Sequence, residues 1–420
     1  MTADHDPLSP AWREDPYPCY RALRESAPVA WSPSTGAWCV SRYDDVMFVL
    51  RSHDLFSSRA MFTFLMNQGN EGRPPLTWPM LRFLARFVWR VRMNPLEFTT
   101  ARNLIAEDGE SHTAMRAIVN RGFTPRRIAA WEERARELVA DAMAKLRSGG
   151  SFDLVEDLAI PLPVTIIAEM LGVEPSRQSD FKRWSDNMIH AIAGPGRADP
   201  FQKRTVDTII ELLSYLRGVA VKRRRDPADD LVSLIASEQQ GATALSTREV
   251  VQFVMLLLVA GNETTTNLIG NAVTALLDHP AELVRLARDP SLVPGAVEEA
   301  LRYDSPVQVL FRTATQDVEI AGTRIPKGAY VAPLLGSANR DERRYPDPDR
   351  FDITRNPQGH MGFGFGKHFC LGASLARLEA RIALEALAPE LVRLERQGPR
   401  EVVDSFLVRG PRRLTLRPAA

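Results

Sequence analysis

Of the three cysteines in this sequence, Cys370 stands in the most unusual setting, the segment MGFGFGKHFCLGASLAR from Met361 to Arg377. Glycines crowd it, and glycine permits positive φ and close backbone approach. A helix is expected to begin directly after it, at Leu371. A thiolate facing a helix N-terminus is stabilised by the amide donors and macrodipole there, which lower its pKa and keep it ionised as a metal ligand. Cys370 is therefore a candidate ligand to iron. Spacing excludes two nucleotide readings of the same glycines. Gly362, Gly364 and Gly366 do not make GxGxxG, because the last glycine would fall on Lys367 or Phe369, and the phosphate loop fails because position 361 is Met and His368 follows Lys367. A structural cysteine buried in a tight loop is the remaining alternative.

A second constellation is AGNETTTN, from Ala260 to Asn267. Small residues open a helix for a ligand, and an acid beside an alcohol can relay protons, which is general acid catalysis. Threonines in helices ordinarily hydrogen-bond to the preceding turn, a use that accounts poorly for a run of them after a glycine in an apolar helix. Glu299 and Arg302 in EEALRY have the i, i+3 spacing of a helical ion pair. His112 and Arg116 in GESHTAMRAIVNRGF lie one turn apart, and Arg312 stands in VLFRTAT. For any one of these charges a solvated surface pair is the ordinary alternative.

Phe363, Gly366, His368, Cys370 and Gly372 together match FxxGxxxCxG, and by this signature the chain resembles the cytochrome P450 family from about Tyr17 to its C-terminus. The resemblance implies haem b as cofactor, Cys370 as the metal ligand, and Phe363, His368 and Gly372 against the haem. It implies His112, Arg116, Arg312 and His368 near the propionates, with Ala260 and Gly261 leaving room over the iron. Glu263 and Thr264 would be the catalytic pair that delivers protons to bound O2. Glu299 and Arg302, joined by Arg350 of PDPDRF, would form a buried structural network. The implied activity is hydroxylation or epoxidation of a hydrophobic small molecule such as a fatty acid, steroid, terpenoid or macrolide. Electrons would come from a separate ferredoxin and ferredoxin reductase, an acidic partner suited to Arg121, Arg126, Arg127 and Lys367. A haem-binding ligand sensor without turnover is the alternative, and it has no need of Glu263 and Thr264.

The elements that must position these residues follow from composition and periodicity. The chain has 420 residues, 45% hydrophobic and 25% charged, the balance of a globular protein with a large core. Lys plus Arg number 53 against 52 Asp plus Glu, a net charge of +1 that gives no global reason to expect nucleic acid. The opening MTADHDPLSPAWREDPYP lacks the apolar core of a signal peptide, and Val250 to Gly261 falls short of a membrane span of ~20 residues. A monomeric cytoplasmic protein without a stable membrane anchor is expected. VAWSPSTGAWCVSRY reads as two strands about a Pro33 to Gly36 turn, followed by a helix over Tyr43 to His53 entered through Asp44. Ser111 to Arg302 is dominantly helical. Ser246 and Glu249 form a capping box for a long helix ending at Asp278. VQVLF, VEI, TRI and YVAP read as strands after Pro306, and a last helix follows the cysteine. With no repeat or interdomain linker, residues 1–420 are expected to form one mainly α domain, the triangular cytochrome P450 fold with small β-sheets and a long central helix. Phe62, Phe64 and Met66 would roof its apolar pocket, and Leu76 to Pro95 reads as a basic amphipathic helix.

Overall fold

The computed structural model describes residues 6–59, 77–99, 101–149, 151–177, 179–181, 183, 184, 187, 203–236 and 244–419. Phe62, Phe64 and Met66, expected over the pocket, lie outside them. The principal helices in chain order are α1 (Tyr17–Ser26), α2 (Tyr43–Arg51), α3 (Trp78–Arg86), α4 (Gly109–Asn120), α5 (Glu132–Arg147), α6 (Pro161–Met170), α7 (Lys203–Arg225), α8 (Thr247–Asp278), α9 (Pro280–Arg288), α10 (Val293–Tyr303) and α11 (Ala373–Leu391). Strands are short, so the fold is mainly α, as the periodicity requires. The chain gathers into two compact units, one of Met1–Phe64, Ile128–Pro163 and Thr264–Ala420, the other of Leu65–Arg127 and Val164–Glu263.

The first unit holds a sheet in the order β1 (Val29–Ser32), β2 (Ala37–Val40), β5 (Tyr330–Pro333), β4 (Arg312–Ala314) and β3 (Phe56–Ser57). β1 and β2 form the expected hairpin, with Trp31 opposite Trp38. The β2–β5 pair is parallel and places Trp38 beside Val331, while the antiparallel β4–β5 pair sets Arg312 opposite the same valine. Val40, Val46, Phe56, Ala314 and Val331 pack together beneath this sheet. Asp304 ties distant segments of the unit together: it accepts hydrogen bonds from Tyr17 Oη, Arg409 Nε and Arg400 Nη2, each at 2.7 Å.

Three expectations are corrected. VQVLF is not a strand. Val307 and Val309 make only isolated bridges, to Val408 and Leu334, and the ladder begins at Arg312. Its apolar pattern records burial, with Val309 and Phe311 fully enclosed. Helix α2 stops at Arg51, and Arg42 is its N-cap in place of Asp44; the first amide is capped from outside by Asp341 Oδ2 at 2.8 Å from Tyr43 N. The segment after Thr77 is α-helical only to Arg86, then widens into a π turn over Phe87–Val91 and stops where Arg92 adopts φ 54°.

In the second unit Gly122 packs so closely on Leu231 that a Cβ would overlap its side chain, and Arg102 pairs with Glu249 at the start of α8. The capping box forms as read: Ser246 N donates to Glu249 Oε2 at 2.6 Å, and Glu249 N donates to Ser246 Oγ at 3.3 Å. The 32 residues of α8 extend roughly 48 Å at ~1.5 Å each. Among the described residues no helix is long and apolar enough to cross a membrane.

Candidate active site

The cysteine loop is built from backbone turns. Gly364 N donates to Met361 O at 2.9 Å, Phe369 N to Gly366 O at 3.1 Å, and Cys370 N to Phe363 O at 3.0 Å. Gly364 and Gly366 adopt φ of 71° and 76°, which favours glycine, and a Cβ at Gly366 would sit 2.9 Å from Leu50 O. The loop is anchored from behind by Asn339, whose Oδ1 accepts from Met361 N at 2.6 Å. Cys370 is exposed at its tip, with Gly372 capping α11 two residues later, so the helix starts at Ala373 and not directly after the cysteine. Burial pushes Cys19 up to about 12 and Cys39 well above the ordinary thiol value. Neither can offer a thiolate near neutral pH, which leaves Cys370 as the reactive one.

Phe363 is held by a cluster that the sequence did not disclose. The Arg377 guanidinium lies 4.6 Å from its ring centroid and donates to Glu298 at 2.6 and 2.9 Å. His360 Nε2 is 2.9 Å from the same carboxylate, while its Nδ1 accepts from Gly362 N at 3.1 Å. Burial alone would raise the Glu298 pKa, but the hydrogen bonds and charge of Arg377 and His360 outweigh it and hold the carboxyl at about 2.

Glu299 and Arg302 form the expected network, fully buried. Arg302 Nε and Nη2 grip the two carboxylate oxygens at 2.8 Å each, and its other donors reach Asn339 O, Pro348 O and Arg350 O at 2.8 to 3.2 Å. All the donors of a guanidinium are thereby used. The third arginine, however, is Arg355 and not Arg350. Arg355 Nε lies 3.1 Å from Glu299 Oε1, whereas the Arg350 side chain is largely exposed and faces Asp352 at 3.6 Å. Arg350 contributes only its carbonyl, because the turn after PDPD points its side chain outward and brings Arg355 back beneath the helix.

Along α8, Gly261 is small for a reason of packing: a Cβ there would run into Ile167 Cδ1 of α6. Ala260 is exposed. Glu263 is partly buried, and its Oε1 is fully enclosed with no hydrogen-bond partner among the described residues. Desolvation raises its pKa to about 7. Such a carboxyl keeps a proton near neutral pH and can give it away, the property of a general acid. Thr264 is partly buried, while Thr266 donates to Ala159 O at 2.8 Å and so serves structure.

Phe363, His368, Cys370 and Gly372 thus share one loop, and Arg312 is buried on β4 in the same unit. His112 is buried on α4, with Arg116 partly buried one turn on and 3.0 Å from Asn120 Oδ1. Among the described residues no group of His, Cys, Asp and Glu could cage a metal. One accessible thiol in a glycine cradle, with the buried Arg312 on β4 of the same unit, fits a metal that brings its other ligands in a macrocycle bearing carboxylates.

Residues 291–390 match the family model described as Cytochrome P450. The erythromycin C-12 hydroxylase of Saccharopolyspora erythraea is 38% identical over 89% of this chain and 86% of its own length. The structure of cytochrome P450 CYP109Q5 from Chondromyces apiculatus superposes with a TM-score of 0.84 at 37% identity, covering 99% of this chain and 98% of that one. CYP109E1 from Bacillus megaterium, in complex with testosterone, superposes with a TM-score of 0.80 at 34% identity over 97% and 100% of the two chains. A match of this extent, joined to the cysteine loop and the buried glutamate–arginine pair, places the chain in the cytochrome P450 family of haem b monooxygenases.

Proposed function

We propose that this enzyme hydroxylates or epoxidises a bulky hydrophobic small molecule, using O2 and electrons from a separate ferredoxin with its reductase. The observation that carries the reading is Glu263, an acid on α8 with one enclosed oxygen that has no partner among the described residues and a pKa raised to about 7, directly followed by the Thr264 hydroxyl. A ligand sensor has no use for such a group, whose enclosure costs stability. Haem b, when bound, supplies oxygen activation and atom transfer. Cys370 would hold its iron, with Phe363 and Gly372 against it. Arg312, His112, Arg116 and His368 would hold its propionates. Ala260 and Gly261 would leave space beside Glu263, which holds the proton, and Thr264, which orients its delivery.

A steroid or macrolide is favoured among apolar substrates, since CYP109E1 is solved with testosterone and another relative is an erythromycin hydroxylase. Fatty acids and terpenoids remain in the same class. Exposed Arg121, Arg126 and Arg127, together with Lys367, suit an acidic ferredoxin. We further propose that residues 1–420 act as a single catalytic domain, monomeric and cytoplasmic.

The test is a spectral binding panel of steroids, macrolides, terpenoids and fatty acids on the haem-loaded enzyme, followed by turnover with a ferredoxin and its reductase. At least one class should shift the Soret band of the haem-loaded enzyme and yield a product one oxygen heavier. Cys370→Ala should lose the red-shifted Soret band of the reduced carbon monoxide complex. Binding without any oxygenated product, at full electron supply, would overturn the monooxygenase reading in favour of a sensor.

A further inference from the structure

The segment from Trp78 to Leu96 carries two apolar stripes, and only one is used by the fold. The inner stripe is aromatic: Phe83 stacks on Phe87 with centroids 5.9 Å apart, and Phe87 on Phe98 at 5.7 Å, with Phe87 and Val91 buried. The outer one runs along the exposed side of α3 and of the π turn that follows it. On it Trp78 and Trp89 are each 71% exposed, Val88 52% and Leu81 43%, and Leu96, just past the turn at Arg92, is 76% exposed. Among the described residues, five of the ten exposed large hydrophobic side chains thus fall within this one segment. Isolated exposed apolar side chains are ordinary, but a continuous stripe marks an interaction surface.

The charge of the segment identifies the occupant. From Trp78 to Leu96 the sequence contains Arg82, Arg86, Arg90 and Arg92 and no acidic residue. Arg86 pairs with Asp207, and the Arg90 guanidinium lies 4.8 Å from the centroid of the Trp89 ring. Among the described residues Arg82 and Arg92 form no ion pair, and both stand exposed within the outer stripe. Two exposed tryptophans flanked by unneutralised arginines are the composition of a helix that lies in the headgroup plane of an anionic bilayer. Such contact is peripheral, with apolar rings inserted at the acyl boundary and guanidinium groups on phosphate. We infer that Trp78, Leu81, Arg82, Val88, Trp89, Arg92 and Leu96 form a docking surface for anionic phospholipid membranes. The inference does not depend on which substrate the enzyme oxidises.

The experiment is co-sedimentation of the haem-loaded full chain with vesicles of phosphatidylcholine alone or with 30% phosphatidylglycerol, on the order of the anionic content of natural membranes. The parent should bind the anionic vesicles, and raising salt should release it. Arg82→Ser with Arg92→Ser should weaken binding about 25-fold, from about fivefold per basic residue. Trp78→Ser with Trp89→Ser should abolish quenching of protein fluorescence by brominated acyl chains. Haem content and circular dichroism report whether each variant is folded. Equal sedimentation of the parent with both vesicle types, or unchanged binding in the folded arginine variant, would overturn the proposal. So would a lipid-free dimer that the tryptophan pair alone abolishes, since the stripe would then serve self-association.

Discussion

Glu299 and Glu263 are both helical carboxyl groups withdrawn from water, in opposite surroundings. Around Glu299 two arginines and the Asp352 amide donate four hydrogen bonds, three to Oε1 and one to Oε2. Around Glu263 one oxygen is enclosed with no partner among the described residues, and desolvation alone raises its pKa. The first arrangement ties a carboxyl to two arginines as part of the framework; the second keeps a proton at hand. A buried charge that must not move is saturated with hydrogen bonds, whereas one that must exchange a proton is left short of them. Glu379 on α11 resembles Glu263 in this respect, buried with no partner at Oε1 among the described residues and raised by burial to about 8.

The largest effect should come from breaking the saturated region. Arg302→Ala removes the bidentate partner of buried Glu299 and should cost about 3–5 kcal/mol, a large part of a typical folding free energy. Urea unfolding and haem content of the purified protein read this directly. The same measurement sharpens the assignment of the third arginine: Arg355→Ala should destabilise by roughly 2 kcal/mol and Arg350→Ala by less than ~0.5 kcal/mol. The reverse order would restore Arg350 to the network.

Next is Glu263. Glu263→Gln should slow product formation about 100-fold, the lower range for a general acid, while leaving substrate binding intact. Its effect on stability has the opposite sign to that of Arg302→Ala. The folded carboxyl holds its proton up to about 7 and the free one only to 4.5, so folding takes up a proton between these values. Stability conferred by the parent therefore falls as pH rises from 4.5 to 7. Glu263→Gln should be more stable than the parent above pH 7, by at most about 3.5 kcal/mol at ~1.4 kcal/mol per pH unit, and the gain should vanish toward pH 4.5. Thermal unfolding of both proteins between pH 5 and 8 checks the slope. Thr264→Ala should instead keep binding and divert reducing equivalents into hydrogen peroxide, measured as the ratio of peroxide to product.

A smaller effect is expected at Glu298. Its carboxyl is held at about 2, so the stability it confers is full above 4.5 and is lost as pH falls toward 2. Arg377→Ala should remove about 1 kcal/mol at pH 7, modest because about a third of each side chain is exposed and screened. The smallest should come from Ser246→Ala, which opens the capping box of α8 for about 1 kcal/mol or less and leaves turnover unchanged.

What the sequence alone determined was whatever depends on spacing within one element. The cysteine loop was legible because positive-φ glycines and a following helix are local backbone requirements. The capping box, the Glu299–Arg302 pair and the Glu263–Thr264 adjacency were legible because helical geometry places such residues without reference to the rest of the chain. Tertiary structure decided what depends on segments far apart in sequence. Arg355, not Arg350, reaches Glu299 because of the path of an irregular loop with no periodicity to read. Gly261 is small because Ile167 packs on it. Glu298, Arg377 and His360 converge on Phe363 from three segments, and burial, set by the whole fold, raises Glu263 while partners lower Glu298. Side-chain chemistry is written in the sequence, but its dielectric surroundings are not: they are a property of the packed chain, and they separate a structural carboxylate from an acid that can deliver a proton.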